Sequence, residues 1–325
     1  MRALGWIWGV MLGVLMIGAA VLQMLGPPAH PVVAAAAVAR SAPVSWDGHI
    51  AAPDPALLEP TRGRDTGQLP RVAADGRMPR VVYARPAPPA DGRPRIGLVI
   101  AGVGGLEAES RTAISLPGAV TLAVSAYGRD SDALLAAARL AGHELLASIP
   151  TEASRFPFDD AGPNSLLTGA TPADNQVRLD AVLGRIQGYV GATGASDGLR
   201  GERFAAQTSS YNIMLDELAG RGLLYLDPRP AGGGHQASLP AGLAGCTADL
   251  VLDDRPARAE VEAQLLSLER IARDRGSAIG LVGRLRPVIL ERLATWARDV
   301  EARGVVLVPI SALALVAPAT ASETQ

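Results

Sequence analysis

The sequence predicts an α/β fold, a mostly parallel sheet covered by helices, preceded by an N-terminal transmembrane helix and a linker. Three observations predict it. From Arg95 onward, short runs of β-branched and aliphatic residues alternate with segments whose apolar side chains recur at helical spacing. Polar residues capable of chemistry collect just after the apolar runs, and a long uncharged apolar stretch opens the chain.

That opening stretch, Ala3–Leu25, reads ALGWIWGVMLGVLMIGAAVLQML, 23 residues without a charge. As a helix it is long enough to cross the roughly 30 Å hydrocarbon layer of a bilayer. Arg2 and the amino terminus put positive charge on the short leading side, which places the N-terminus in the cytoplasm and the rest of the chain outside. Trp6 and Trp8 suit the interface. A cleaved signal peptide is the competing reading, since small-residue sites such as Ala35-Ala36-Ala37 follow. Residues 1–26 are therefore an anchor or a signal segment. Both readings export the domain, to the periplasmic face of the inner membrane as a single-pass protein or into solution after cleavage.

Residues 27–94 are rich in Pro and Ala, carry little aromatic character and show no sustained period. They read as a flexible, partly polyproline spacer, because such a segment buries too little apolar surface to offset its ordering entropy. A stray strand is expected near Val81-Val82-Tyr83.

The folded domain is expected over 95–315, with 316–325 a disordered tail. RIGLVI at Arg95–Ile100 is a strand buried on both faces, ending in Gly102, Gly104 and Gly105. Val120–Val124 is a second strand, Ser131–Ala141 a helix, and HELLASI at His143–Ile149 a third strand. A helix from Pro172 to Gly188, a strand over Tyr189–Ala192, a helix over Ser210–Arg221 and a strand over Leu223–Leu226 continue the alternation. Leu250–Leu252 is a strand, Ala259–Arg275 a helix, Ala278–Val282 a strand, Val288–Arg303 a helix and Gly304–Pro309 a final strand.

Composition narrows the function. With 30 basic and 32 acidic side chains, nothing resembles a nucleic-acid footprint. The single cysteine, Cys246, rules out an intrachain disulfide and a cysteine-based zinc cluster, and reads as a small buried residue. In parallel sheets ligands gather outside the carboxyl ends of the strands. The residues to read there are Ala101-Gly102, Pro150-Thr151-Glu152, Thr193-Gly194-Ala195, Asp227-Pro228-Arg229, Asp253-Asp254 and Gly283-Arg284-Leu285.

The order of these motifs is itself informative. RIGLVIAGVGG, GHELLASIPTEA, DAGPNSLLTG, GYVGATGA, RGLLYLDPR, DLVLDD, AIGLVGRLRP and RGVVLVPISAL resemble, in that order, the divergent polysaccharide deacetylase family, across roughly Arg95–Leu313. The resemblance implies a distorted (β/α) barrel whose active members use an Asp-His-His metal site to hydrolyse an N-acetyl group from a sugar. It also implies a pocket at Ala101, Gly102, Ser148, Glu152, Ala195, Asp227, Arg229, Asp253 and Arg284. Several of these depart from the family pattern. Ala101 and Gly102 stand where two acidic residues are usual, Ala195 and Arg284 where the two histidines are, and Ser148 where another histidine is often found. A hydrolytic metal centre needs about three protein ligands and an open position, and Ala, Gly and Arg supply none. No cofactor is expected.

Glu152, Asp227 and Asp253 remain as candidate catalytic residues. Asp227 and Arg229, two apart on one face of an extended segment, form an ion pair or contact a ligand, while Glu152 and Asp253 bind sugar hydroxyls or cap helices. His30 and His49 lie in the linker, His143 begins a strand and His235 sits in AGGGHQ, so satisfied or solvated histidines are the simpler reading. No serine sits in a nucleophile elbow. Two functions follow as expectations: a catalytically degenerate envelope protein that binds glycan or a partner protein, or an active carbohydrate hydrolase with a relocated site.

Overall fold

The computed structural model describes residues 47–61, 67–128, 131–230 and 239–317. The stretch expected to span the membrane, His30, His235 and the tail from residue 318 lie outside the described residues. Among the described residues, no helix is long and apolar enough to cross a membrane.

An N-terminal segment comes first, with a 3₁₀ turn at Pro55–Leu57, antiparallel strands β1 (Leu58–Pro60) and β2 (Gln68–Pro70), and a short helix α1 (Pro79–Val82). The main sheet follows as β3 (Arg95–Val103), β4 (Thr121–Val124), β5 (Leu145–Ser148), β6 (Gly191–Thr193), β7 (Leu224–Asp227), β8 (Ala244–Thr247), β9 (Leu250–Val251), β10 (Ser277–Val282), β11 (Val306–Val308) and β12 (Leu315–Val316). Interleaved with these strands are α2 (Glu107–Ile114), α3 (Ser131–Leu140), α4 (Pro172–Leu183), α5 (Glu202–Ala206), α6 (Thr208–Gly220), α7 (Arg258–Arg275) and α8 (Pro287–Asp299). The strand order is β12-β8-β7-β6-β5-β4-β3-β10-β9, with β11 beside the start of β3. Every pairing in this sheet is parallel except β12 with β8.

The two ends of this order meet. β8 pairs with β7 and β9, only a few residues later, pairs with β10. Between them Ala248 N–H donates to Asp227 O at 2.9 Å and Asp249 N–H to Ile279 O at 2.8 Å. The sheet therefore curls into the barrel-like form expected of a distorted (β/α) barrel. Side chains alternate across it. Ile96, Leu98 and Ile100 of β3 pack under the helices, whereas Val99 and Ala101 join an inner cluster with Ala123, Leu146, Leu226 and Ala248. The inner cluster mixes alanines with larger residues such as Leu224, Ile279 and Leu281. At Gly191 a Cβ would lie 2.2 Å from the carbonyl oxygen of Leu224, so only glycine allows β6 and β7 to pair there.

Local signals set the helix ends. Thr171 caps α4 by accepting from Asp174 N–H at 3.1 Å, with Pro172 at the first helical position. Gly276, at φ 85°, ends α7 in the left-handed conformation. Helix α2 was not expected from the sequence, because EAESRTAI carries too few apolar residues to show a helical period. The strand expected at Val81–Tyr83 is instead the end of α1, where Pro79 at the first position presets a helical φ.

The flexible-spacer reading of 27–94 does not hold from Asp47 onward. Leu57 and Leu69 are fully buried, and Leu57 and Tyr83 belong to the inner barrel cluster. The Tyr83 hydroxyl accepts from Asp54 N–H at 2.9 Å. Farther along, Arg85 N–H donates to the buried carboxylate of Glu144 at 2.8 Å, which Ser311 also binds through its hydroxyl at 2.5 Å. Low average hydrophobicity concealed a few well-placed apolar anchors, each contributing roughly 1.5–3 kcal/mol when buried.

Two buried carboxylates hold the periphery. Glu269 of α7 accepts from Trp296 Nε1 of α8 at 2.8 Å and from the guanidinium groups of Arg303 and Arg273, each at 2.9 Å. Replacing Glu269 by Ala should lower the unfolding free energy by about 2–4 kcal/mol in urea denaturation, because Trp296 and both guanidinium groups lose their common acceptor. Glu144 behaves differently. Burial pushes its carboxyl up to about 7, against the hydrogen bonds from Ser311 and Arg85. Since the folded state holds this proton more tightly than the unfolded chain, the stabilisation is complete below about pH 4.5 and is lost as pH rises to about 7. Replacing Glu144 by Gln should therefore remove up to roughly 3 kcal/mol of stability loss between those pH values, measured by denaturation at each pH.

Candidate functional site

The carboxyl ends of β6, β9 and β10 come together at one mouth of the curled sheet. After β6 the chain reverses through Ser196–Leu199, whose mutual backbone bonds of 3.0 and 2.9 Å enclose Asp197 and Gly198 at φ 45° and 80°. An Asp-Gly pair suits this two-residue hairpin, since both central positions are left-handed. The hairpin lies across the loop after β10. Gly198 N–H donates to Gly283 O at 2.9 Å, and Arg284 Nε donates to Asp197 O at 2.7 Å while facing the Asp197 carboxylate at 3.4 Å. A side chain at position 198 has no room, because its Cβ would come within 2.7 Å of Arg284 Nε.

Asp253, just past β9, fixes the same loop. Its two oxygens accept from Gly283 N–H and Arg284 N–H, both at 2.8 Å. Burial raises its carboxyl above the usual range, against those two backbone bonds. Around these groups is a cleft of about 270 Å³, lined also by Ala195, Arg155, Arg200 and Arg286. Arg155 pairs with Asp159 through two bonds of 2.8 and 2.9 Å, and Arg200 pairs with Asp254 at 2.8 Å.

The structure brings Ala195, Asp253 and Arg284 to this cleft and leaves the other sequence candidates elsewhere. Ala101 is fully buried in the inner cluster that also holds Ala195. A Cβ on Gly102 would lie 3.9 Å from Leu285, so the end of β3 reaches the same loop without a functional side chain. Ser148 is buried, and its hydroxyl has no hydrogen-bond partner among the described residues. Glu152 is buried and anchors a loop, accepting from the Thr168 N–H at 2.6 Å and hydroxyl at 2.7 Å and pairing with Arg203 at 2.8 Å. Asp227 forms a two-pronged pair with Arg229 at 2.9 and 2.6 Å, on the face of β7 shared with Tyr225 and next to Tyr211 of α6. Glu152 and Asp227 thus do not join Asp253 at the cleft.

The two described histidines serve the framework. His143 is fully buried with its ring nitrogens 2.7 and 3.0 Å from the carbonyl oxygens of Val120 and Ile114, and His49 meets Leu140 O at 2.5 Å. Cys246 is partly buried against the inner cluster, and burial raises its thiol well above the ordinary range.

A catalytic divalent metal does not fit the residues at this mouth. Ala195 offers no side-chain donor, the end of β3 at Ala101 and Gly102 brings none, and the Arg284 guanidinium repels a cation. Among the described residues, no three His, Cys, Asp or Glu side chains converge as a metal site. Arg155, Asp159, Asp197, Arg200 and Arg286 were not singled out from the sequence. The Asp197-Gly198 dipeptide was the available signal, since an Asp-Gly pair suits a two-residue hairpin.

The comparisons with known proteins agree with this architecture. The model of a family described as divergent polysaccharide deacetylase matches residues 98–314. Among solved structures, the crystal structure of an uncharacterized protein, ATU2773 from Agrobacterium tumefaciens C58, is 35% identical with a TM-score of 0.69. It covers 76% of this chain and 99% of its own. No curated protein matches. A family match across nearly all of the curled sheet, together with a solved relative of the same fold, makes this chain a member of the divergent polysaccharide deacetylase family.

Proposed function

We propose that this chain is a catalytically degenerate member of its family that binds glycan, or a glycan-bearing partner, in the cell envelope. The observation that carries the reading is the chemistry of the mouth. Ala195 and Arg284 line it, Arg284 is tied to the Asp197-Gly198 hairpin, and no metal-ligating set stands there among the described residues. The uncharged stretch at residues 3–25 supports the envelope setting, as a single-pass inner-membrane anchor or a cleaved signal that leaves the domain periplasmic.

The test is metal analysis and acetate release. The full chain, purified in mild detergent after growth with zinc, should hold no stoichiometric metal and release no acetate from an oligomer of N-acetylglucosamine. Bound zinc together with acetate release would overturn the reading.

A second reading, a hydrolase with a relocated acid, rests on Asp253, which lines the cleft with a carboxyl raised by burial. It predicts reducing-end release from an oligosaccharide that is lost in Asp253→Asn. Equal rates in both proteins would remove it.

A further inference from the structure

The mouth cleft matches its arginines with carboxylates in number but leaves one guanidinium group outside the ion pairs. Four guanidinium groups line it, Arg155, Arg200, Arg284 and Arg286. Three have carboxylate partners, in Asp159, Asp254 and Asp197 respectively. Arg286 makes no side-chain hydrogen bond or ion pair among the described residues. Asp253, the remaining carboxylate of the lining, directs both oxygens at backbone N–H groups. Helix α8 begins directly after Arg286 with no acidic residue in its first turn, so no side chain of that turn offsets the positive end of the helix.

An apolar side chain adjoins the lining along the chain, since Phe158, 92% exposed, lies between the cleft residues Arg155 and Asp159 in sequence. An exposed aromatic ring next to a polar cleft offers an apolar face to the C–H face of a sugar ring, while a guanidinium binds a carboxylate or phosphate in two-pronged fashion.

Resting on the glycan-binding reading, we propose that the ligand class is acidic glycan, with Arg286 receiving an anionic substituent and Phe158 packing against the sugar ring. Neutral glycan satisfies Phe158 but leaves Arg286 without a counter-charge. The cleft therefore discriminates by charge, and its affinity for the acidic ligand falls with salt.

The experiment is calorimetric titration of the full chain in detergent with a galacturonic acid tetramer, with an N-acetylglucosamine tetramer and with inorganic phosphate. The acidic tetramer should bind at least tenfold more tightly than the neutral one and weaken on raising sodium chloride from 50 to 500 mM, salt concentrations chosen to span about 14 to 4 Å of screening length. Arg286→Ala should lose most of that preference with an unchanged thermal midpoint, whereas Phe158→Ala should weaken both tetramers. Equal affinity for the two tetramers, or acidic binding unaltered in Arg286→Ala, overturns the charge selectivity while leaving glycan binding intact. Binding of phosphate as tight as that of the acidic tetramer overturns the role given to Phe158 and the sugar. Absence of binding to either tetramer overturns the glycan reading as a whole.

Discussion

The segment Ala244–Val251 holds this fold closed because it serves two strands in succession. Its first half completes the ladder of β7 and its second half that of β10, and the two residues between them send one N–H to each neighbour. A parallel sheet with open edges would expose unpaired backbone groups on both sides. Here the edges meet, which fixes the radius of the curl. The same closure carries Asp253 to the position where it binds the loop after β10. The geometry of the mouth is therefore a consequence of how the barrel shuts.

Much of the fold was legible in the sequence because parallel strands buried on both faces leave an unmistakable mark. RIGLVI and LLYL can hardly be anything else, and the helices with strong apolar stripes, α3 and α8, were placed within a few residues of their ends. What escaped detection was weakly patterned. Helix α2 has little apolar surface, and β8, reading AGCT, is too small and too polar to stand out. The N-terminal segment escaped for a different reason. Its order comes from tertiary burial of Leu57, Leu69 and Tyr83, which no local average detects.

The candidate site was legible in part. Reading the ends of the strands located Ala195, Asp253 and Arg284, since topology alone brings those positions together. It could not say which way each side chain points. Asp227 follows β7 as Asp253 follows β9, yet the two-residue alternation of a strand turns Asp227 toward Tyr211 and Arg229. Glu152 is drawn aside by Thr168 and Arg203. The arginines of the cleft come from loops, whose reach depends on turns such as Asp197-Gly198, and loop-borne chemistry is the part of a sequence least constrained by periodicity.

The buried N-terminal segment separates two ideas of where this domain begins. The family model starts at residue 98. The cooperative unit starts earlier, since Leu57 and Tyr83 belong to the inner cluster and Arg85 covers the carboxylate of Glu144. A fragment cut at the boundary of recognisable ancestry would expose apolar surface inside the barrel and leave a buried acid without its donor. The bounds of the family model and of the folding unit do not coincide, and the buried stretch before residue 98 belongs to the folding unit.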